Sequence, residues 1–495
     1  MAHAPMTLFR VIVCALALLP AAAGDFCATK FEQYGDFAFE AASLLNVTFF
    51  DEGGYAVVDV AMVPSDGYIA GYAAEKYVIS SCTNLPGLEA LVPGATEYIT
   101  VASKISVKTT TVVALVDKID AVDLLVAYDD IQWTSSQTVI DHVLKFSIPL
   151  THVQYPGSGI IDTVLLTQGS ELHITDHYNC VDDRAGLVNT TIPVVCIPNS
   201  LETTPLGKAE WMKLIGLLLI GKGGKSITEF SGISSYYSAA KLFATSKTPK
   251  TVIQGDYSFP FWWNGNTGGW SMSWLNSYIA SHFTNGGGVY VAPSTYSPNT
   301  YIDLPGAKET WAKAEFWIAS DALTTLASTD SDVAWIKNMP AVKCGNVYQW
   351  TARVNPNGGN DMYESADVSP DVVLKDIIKI LNPELLTSHT LYYAQKIDVS
   401  AYEGICPYDT PETTTPTSSS TTTTTTTTKS TNGTNAGAAN AATGLTGLNL
   451  GLTIAVAILG SVLIVVALGT SLMFQRRARA ANTINDALKV GTFSA

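Results

Sequence analysis

The sequence predicts an α/β protein with two α/β lobes, followed by a disordered threonine-rich stalk and one transmembrane helix. Short segments rich in β-branched residues alternate with amphipathic helical segments, a pattern typical of parallel sheets covered by helices. Roughly 380 residues lie between the predicted signal peptide and the stalk, which exceeds the usual ~250–300 residues of one hydrophobic core. Two lobes are therefore expected.

The first half of the folded part contains six predicted strands and two predicted helices. The strands are Tyr55–Val63, Tyr77–Ser81, Tyr98–Ala102, Leu124–Tyr128, Leu172–Thr175 and Ile192–Ile197. The helices are Thr109–Ile119 and Ser136–Phe146, each with its apolar residues on one face.

A long helical region and a second α/β set follow. Residues 205–246 have a helical pattern except at Gly221–Gly224. This glycine-rich segment predicts a break between two helices rather than a phosphate-binding loop, because Leu219 replaces the first glycine of that motif. The second set comprises strands Thr251–Gln254, Val289–Val291 and Phe316–Ala319 and helices Ser271–Phe283, Ala307–Glu315 and Asp332–Lys337. A last amphipathic helix begins after Ser369 and Pro370.

Both ends of the chain carry apolar segments. Residues 1–23 are predicted to be a secretory signal peptide cleaved after Ala23. Residues 450–474 are almost uncharged and long enough to cross a bilayer of about 30 Å as a helix. Arginines follow at once and place the tail, residues 475–495, in the cytoplasm. The prediction is a single-pass type I protein of the cell-surface membrane, with its N-terminal part extracellular.

Residues 409–449 are dominated by Thr and Ser, then by Asn, Ala and Gly. Such a segment cannot bury enough apolar surface to fold, and its composition suits either an O-glycosylated stalk or a bare linker. Glycosylation sequons occur at Asn46, Asn189 and Asn432. With the signal peptide and stalk, they favour a eukaryotic cell surface over a bacterial periplasm.

Six cysteines remain after signal-peptide removal, and they allow fifteen pairings. In an oxidising compartment we predict disulfides between Cys180 and Cys196, which closes a short loop, and between Cys27 and Cys406, which connects the ends of the folded part. The sequence contains no CxxC pair with the spacing of a zinc site.

The most informative segment is an aromatic, polar and glycine-rich loop that leads into the last helix. Its candidate ligand contacts are Arg353, Asn360, Asp361 and Glu364, and Arg353 is the natural partner for an anionic ligand. Tryptophans in loops after predicted strands give further candidates, which are Trp133, Trp262, Trp263 and Trp270. They indicate an aromatic wall for a bulky, partly apolar ligand, or else packing between the lobes.

Catalytic and metal motifs are scarce. The sequence has no HExxH and no GxSxG motif. His173 and His177 are four residues apart at the end of a predicted strand. Along a strand, this spacing holds the two side chains too far apart to bind one ion together. His177 is the candidate metal ligand. The net charge of −15 argues against nucleic acid or an anionic membrane surface as a partner. We predict no enzyme activity and no firm cofactor.

Four segments in order resemble the solute-binding proteins of bacterial importers for iron(III)–siderophore complexes and vitamin B12. They are Glu202–Trp211, Trp262–Leu275 with Gly286–Tyr290, Asn357–Glu364 and Asn382–Leu386. The likeness covers roughly residues 30–398. It implies a periplasmic-binding-protein-like fold, in which one long helix joins two α/β lobes and the ligand lies between them.

The resemblance sets the expected domain limits and function. The N-terminal lobe is residues 24–223, the inter-lobe helix 224–246 and the C-terminal lobe 247–408. The expected ligand is a ferric chelate or corrinoid, captured for uptake through a membrane transporter or endocytosis. The alternative is an adhesion or sensory ectodomain that retains the fold without small-ligand transport.

Overall fold

The computed structural model describes part of the chain. The described residues are 37–50, 54–62, 74–81, 88–150, 161–258, 269–271, 273, 275–291, 312–320, 322–327, 334–402 and 404–407. The predicted signal peptide, stalk, transmembrane segment and tail lie outside them. Among the described helices, none is both long and apolar enough to cross a membrane. The chain divides into two compact units, residues 1–413 and 414–495, and every described residue belongs to the first.

The described part is a mixed α/β structure. Its strands are β1 (Leu45–Phe50), β2 (Tyr55–Val60), β3 (Glu75–Ser80), β4 (Glu97–Thr100), β5 (Ile105–Val107), β6 (Leu125–Tyr128), β7 (Leu172–Asp176), β8 (Val194–Ile197), β9 (Lys250–Gln254), β10 (Asp256–Ser258), β11 (Gly269–Ser271), β12 (Gly288–Tyr290), β13 (Phe316–Ala319), β14 (Val347–Gln349) and β15 (Gln395–Lys396). Its helices are α1 (Leu88–Leu91), α2 (Thr110–Lys118), α3 (Gln137–Phe146), α4 (Ile161–Gln168), α5 (Cys180–Leu187), α6 (Pro205–Leu218), α7 (Gly223–Ala244), α8 (Tyr278–Asn285), α9 (Ala322–Ala327), α10 (Pro340–Lys343) and α11 (Pro370–Leu381).

The N-terminal lobe contains two four-stranded sheets around one hydrophobic core. One sheet has the order β6-β5-β7-β8 and is parallel throughout. The other has the order β1-β2-β3-β4, in which the first two pairings are antiparallel. The alternation of strands and helices in the sequence therefore predicts the parallel sheet β6-β5-β7-β8. It does not predict the antiparallel pairings of the sheet β1-β2-β3-β4.

The C-terminal lobe has a separate core around the sheet β12-β9-β13-β14-β15. Its first four strands are parallel, and β15 adds an antiparallel edge. A short hairpin of β10 and β11 follows directly after β9 in the chain.

Helix α7 contacts both lobes. Phe230 and Ile233 in its first half belong to the N-terminal core. Tyr237 and Ala240 in its second half pack with Leu374 and other residues of α11. Gly221 has φ of +70°, which an L side chain adopts only with strain, and this glycine forms the turn between α6 and α7.

Two predicted helices differ from the structure. The helix predicted at Ser271–Phe283 begins only at Tyr278, because the Ser277 hydroxyl accepts a hydrogen bond from the Ala280 N–H and caps the helix there, while Ser271 lies in β11. The segment from Ala334 to Asn338 forms a 3-10 helix instead of an α-helix. Of the helix predicted at Ala307–Glu315, residues 307–311 lie outside the described residues, and residues 312–315 form a turn rather than a helix.

Two carboxylates of the Glu202–Trp211 segment hold the chain that precedes β1. The Glu210 carboxylate accepts hydrogen bonds from the backbone N–H groups of Glu40, Ala41 and Ala42 at 2.7–3.1 Å. The Glu202 carboxylate accepts from the N–H groups of Ser43 and Leu44 at 3.0 Å. These two residues therefore have a structural role rather than a place in the ligand cleft described below.

The structure contains two disulfides among the described residues. Cys180 and Cys196 are paired, as the sequence predicts, and join α5 to β8. The predicted pair of Cys27 with Cys406 is wrong, because Cys406 is bonded to Cys344 with a Cα–Cα distance of 4.7 Å. The C-terminal end of the lobe thus folds back onto α10 of the same lobe, and Cys27 lies outside the described residues.

Candidate functional site

A cleft of about 560 Å³ lies between the two lobes. The N-terminal lobe contributes Thr110, at the start of α2, and Trp133. The C-terminal lobe contributes Ser320, after β13, and Gln349, at the end of β14. Carboxyl ends of parallel strands commonly border ligand sites in α/β folds, and this volume is within the range for small-molecule pockets.

Two half-exposed aromatic rings lie on opposite lobes of this cleft. Trp133 is 50% exposed and Tyr363 is 51% exposed. The Tyr363 hydroxyl lies 2.9 Å from the Ser320 hydroxyl, so that the two form a hydrogen bond at the cleft surface. Exposed aromatic faces of this kind offer contact area to a ligand with a flat apolar surface.

The lobes touch directly along one side of the cleft. The Glu364 carboxylate accepts hydrogen bonds from the N–H groups of Ser135 and Ser136, at 2.5 and 3.1 Å. The Asn355 amide donates to the backbone oxygens of Gln132 and Thr134, at 2.9 and 3.0 Å. We call the segment from Arg353 to Glu364 the bridging loop, because it connects the C-terminal lobe to the N-terminal lobe.

Glu364 is a buried acid with unusual titration. Its side chain is 2% exposed, and burial raises its pKa from 4.5 to about 7. The hydrogen bonds from Ser135 and Ser136 oppose this rise, while the nearby carboxylates of Asp361 and Asp117 add to it. Its titration therefore falls in the physiological pH range.

Gln349 carries a hydrogen-bonding group without a partner. It is 8% exposed, lines the cleft, and its Oε1 makes no hydrogen bond with any residue that the structure describes. A buried acceptor left unpaired costs free energy, and a rotation of the Gln349 side chain that turns Oε1 toward the cleft would let a donor on a ligand satisfy it. The sequence does not single out this residue, because the three-residue strand β14 that it ends carries no periodic signal of its own.

The structure separates the candidate residues of the bridging loop. Asn360 and Glu364 line the cleft, as does Trp133. Arg353 and Asp361 are not among the lining residues but bind each other, with Arg353 Nε 2.7 Å from Asp361 Oδ2. The Arg353 guanidinium also lies over the Tyr392 ring at 4.4 Å. Its predicted role as the partner of an anionic ligand is thus not supported by its position.

The remaining tryptophan candidates cannot be placed in the cleft. Trp270 lies in β11, where its backbone pairs with Tyr257. Trp262 and Trp263 lie outside the described residues.

Asn360 bonds to its own loop, since its Oδ1 accepts a hydrogen bond from the Met362 N–H at 3.0 Å.

The candidate metal ligand His177 is buried in the N-terminal lobe, with Nδ1 3.3 Å from the Ser200 hydroxyl. Burial lowers its pKa, despite the nearby Asp176. Within the described residues, His177 belongs to no group of three metal-ligating side chains. One such group consists of Glu75, Cys180 and Cys196, but the two cysteine sulfurs are bonded to each other in a disulfide. The metal-binding role predicted for His177 therefore lacks a ligand set in the described structure.

His173 instead joins a buried polar chain. Its Nδ1 lies 2.8 Å from the Ser106 hydroxyl and its Nε2 lies 3.2 Å from Asp183 Oδ2, whose other oxygen is bound by Lys108 at 2.6 Å. Burial opposes ionisation of Asp183, but His173 and Lys108 outweigh it and lower its pKa. The order Ser–His–Asp is that of a hydrolase triad. Ser106 is only 1% exposed, however, so this chain is structural.

Glycosylation remains a prediction. Asn46 and Asn189 are exposed in the structure, as attachment of a glycan requires. Asn432 lies outside the described residues.

No family model matches the chain, and no curated protein matches it. Solved structures are similar to it at low sequence identity. A periplasmic binding protein from Veillonella parvula is 9% identical, covers 59% of this chain and 89% of its own, and gives a TM-score of 0.45. The periplasmic vitamin B12 binding protein BtuF of Vibrio cholerae is 12% identical, covers 58% and 99%, and gives 0.39. Ceue of Helicobacter pylori with Ni(II) bound is 12% identical, covers 59% and 87%, and gives 0.41. Likenesses this distant carry no inference about a ligand.

Proposed function

We propose that the chain is a cell-surface solute-binding protein that captures a small ligand in the cleft between its lobes for uptake. The ligand class proposed is an iron–siderophore complex or a similar metal chelate or corrinoid. The proposal assigns no catalytic step to the chain, and it assigns a membrane transporter or the endocytic machinery as the recipient of the ligand.

The observation that supports this proposal best is the shared lining of the cleft. Both lobes contribute to it, with an aromatic ring from each and hydroxyl and amide groups between them. A concave surface of this composition suits an organic ligand that needs both apolar contact and a few oriented hydrogen bonds. The buried Gln349 Oε1, which has no hydrogen-bond partner among the described residues, is further support. A ligand that donates a hydrogen bond to this atom would account for its lack of a protein partner.

Calorimetric titration of the full chain tests the proposal. The panel consists of ferric siderophore complexes, haem, cyanocobalamin and free metal ions. We expect saturable binding of one class, and Trp133→Ala should weaken it by roughly tenfold or more, because the variant removes a large aromatic contact. Phe146→Ala is the matched control: Phe146 is also an exposed aromatic of the N-terminal lobe, 57% accessible, but does not line the cleft.

A folded chain that binds none of the panel would contradict solute capture. Adhesion or sensing of a protein ligand would then become the better hypothesis. Binding that is equally weakened by Phe146→Ala and Trp133→Ala would also contradict the proposed site, because the ligand would not be recognising the cleft.

A further inference from the structure

The charges around the cleft bear on which solute it accepts. Among the lining residues that the structure describes, the ionisable groups are Glu364 and Tyr363, and none is a Lys, Arg or His. The carboxylates of Asp361 and Asp117 lie close enough to Glu364 to disfavour its ionisation, and Asp256 has the same effect on Tyr363. The described lining therefore offers an anionic ligand no cation, and Glu364 itself becomes an anion as the pH rises through about 7.

The positive charge of Arg353 is already compensated by one of these acids, Asp361. Arg353 is paired with Asp361 and lies over Tyr392 in its own lobe, outside the lining of the cleft. An anionic ligand would consequently leave water for a site whose described lining offers it the Glu364 carboxyl group and no cation, and such burial is costly.

Gln349 adds a directional requirement. It ends β14, between β13 and β15, so its backbone is fixed on both sides by sheet pairing. Its Oε1 can only accept a hydrogen bond, and no group of the described residues supplies one. Once the side chain turns this atom toward the cleft, a ligand N–H or O–H group satisfies it, whereas a ligand with acceptors alone leaves it unpaired.

We infer that the cleft selects an uncharged or cationic solute that donates an N–H or O–H hydrogen bond to Gln349. This inference rests on the proposed function and narrows its ligand class. It assigns Gln349 as a specificity-determining residue, and it removes anionic chelates from the ligands that the cleft favours.

Two inert cobalt(III) complexes of octahedral shape test the inference on the full chain. Hexaamminecobalt(III) is a trication whose surface carries only N–H donors. Tris(oxalato)cobaltate(III) is a trianion whose surface carries only acceptors. We expect the trication to bind at least tenfold more tightly in calorimetric titration at about 0.15 M salt, where diffuse attraction to the acidic chain is largely screened.

Variants at Gln349 separate recognition from general charge attraction. Gln349→Leu should weaken binding of the trication roughly tenfold, because the acceptor is lost. Gln349→Glu should strengthen it, and provides a second variant should the leucine disturb folding. Gln168→Leu is the matched control, since Gln168 is an exposed glutamine at the end of α4, outside the lining of the cleft. This control should bind as the unaltered chain does.

The outcomes distinguish this inference from the proposed function. The same variants are titrated with whichever panel solute binds. If that solute is an anion, or if its affinity is insensitive to Gln349→Leu, the ligand class is wrong while solute capture stands. If the trianion binds more tightly than the trication, the ligand class is also wrong. If neither complex and no panel solute binds, solute capture itself fails and the inference fails with it.

Discussion

Glu364 lies at the cleft, where the sequence predicts a ligand contact, but both of its oxygens are already bound by backbone N–H groups of the other lobe. The Glu364 carboxylate lies beside the first residues of α3, next to the positive end of that helix. The residue therefore joins the lobes, and its side-chain oxygens have little capacity left for a solute.

The titration of Glu364 predicts a specific pH dependence of stability. Because its pKa is raised from 4.5 to about 7 by burial, its contribution to stability is fully present below pH 4.5 and is lost as the pH rises through 7. From pH 5 to 8 the unaltered chain should lose on the order of 2–3 kcal/mol of unfolding free energy from this group. Glu364→Gln should not show this loss, as measured by denaturant unfolding at the two pH values.

Comparing the pH dependence of the unfolding free energy of the unaltered chain with that of Glu364→Gln separates the titration of Glu364 from that of other groups. His282, for instance, has its pKa lowered to about 3 by burial and by Lys208, and it affects both proteins equally. Glutamine keeps one acceptor for the Ser135 and Ser136 N–H groups, so a constant loss of about 1 kcal/mol is expected at every pH. Parallel pH profiles for the two proteins would show that Glu364 does not titrate as described.

At this scale the sequence indicates candidate residues but not their partners. It identifies Arg353, Asp361 and Glu364 as polar residues of one loop, yet which of them face a solute depends on pairings made in three dimensions. Arg353 is neutralised by Asp361, eight residues away, and Glu364 is held by Ser135 and Ser136 of the other lobe. Gln349 looks unremarkable in sequence because its lack of a partner is a property of the folded cleft.

The bridging loop depends on close backbone approach at the element scale. A Cβ atom on Gly359 would lie 2.5 Å from the Trp133 backbone oxygen and 2.6 Å from Asn355 Nδ2. Gly359→Ala should therefore displace the loop, break the Asn355 hydrogen bonds to the N-terminal lobe, and lower the unfolding free energy by about 1–3 kcal/mol. Denaturant unfolding at fixed pH measures the change.

Gly232 provides the control for this substitution. It lies within α7, and a Cβ atom there would meet nothing within 4 Å. Gly232→Ala should raise stability by about 0.5–1 kcal/mol, because alanine restricts the unfolded chain and suits a helix. A Gly359→Ala protein as stable as Gly232→Ala would mean that the loop accommodates the methyl group and that the contact with Trp133 is not tight.

Strands with a continuous run of buried apolar residues are predicted well, whereas the half-exposed β1 and several strands of three residues or fewer are not. Strand β13 is predicted with the same limits, because four buried residues run from Phe316 to Ala319. Strands β5, β14 and β15 have three residues or fewer and carry no periodic signal of their own. The pairing of Cys406 with Cys344 is equally absent from the sequence, since it depends on how the C-terminal segment returns to α10.

On the scale of the two lobes, a buried ion pair supplements the bridging loop. Lys208 of α6 lies 2.7 Å from Asp367, which belongs to a short 3-10 helix of the C-terminal lobe, and the two side chains are 5% and 4% exposed. The Lys208 ammonium also lies over the Tyr278 ring at 3.6 Å. One cation of the N-terminal lobe thus contacts both an acid and an aromatic ring of the other lobe.

Removing one member of this pair should destabilise the protein strongly. Lys208→Met leaves Asp367 buried without its counter-ion and should lower the unfolding free energy by about 3–5 kcal/mol. The double variant Lys208→Met, Asp367→Leu should recover much of that loss, because no uncompensated charge remains. Lys76→Met, which breaks an exposed pair with Asp59, should have little effect. If the double variant is no more stable than Lys208→Met alone, the lobes are held by the packing around this pair rather than by its charges.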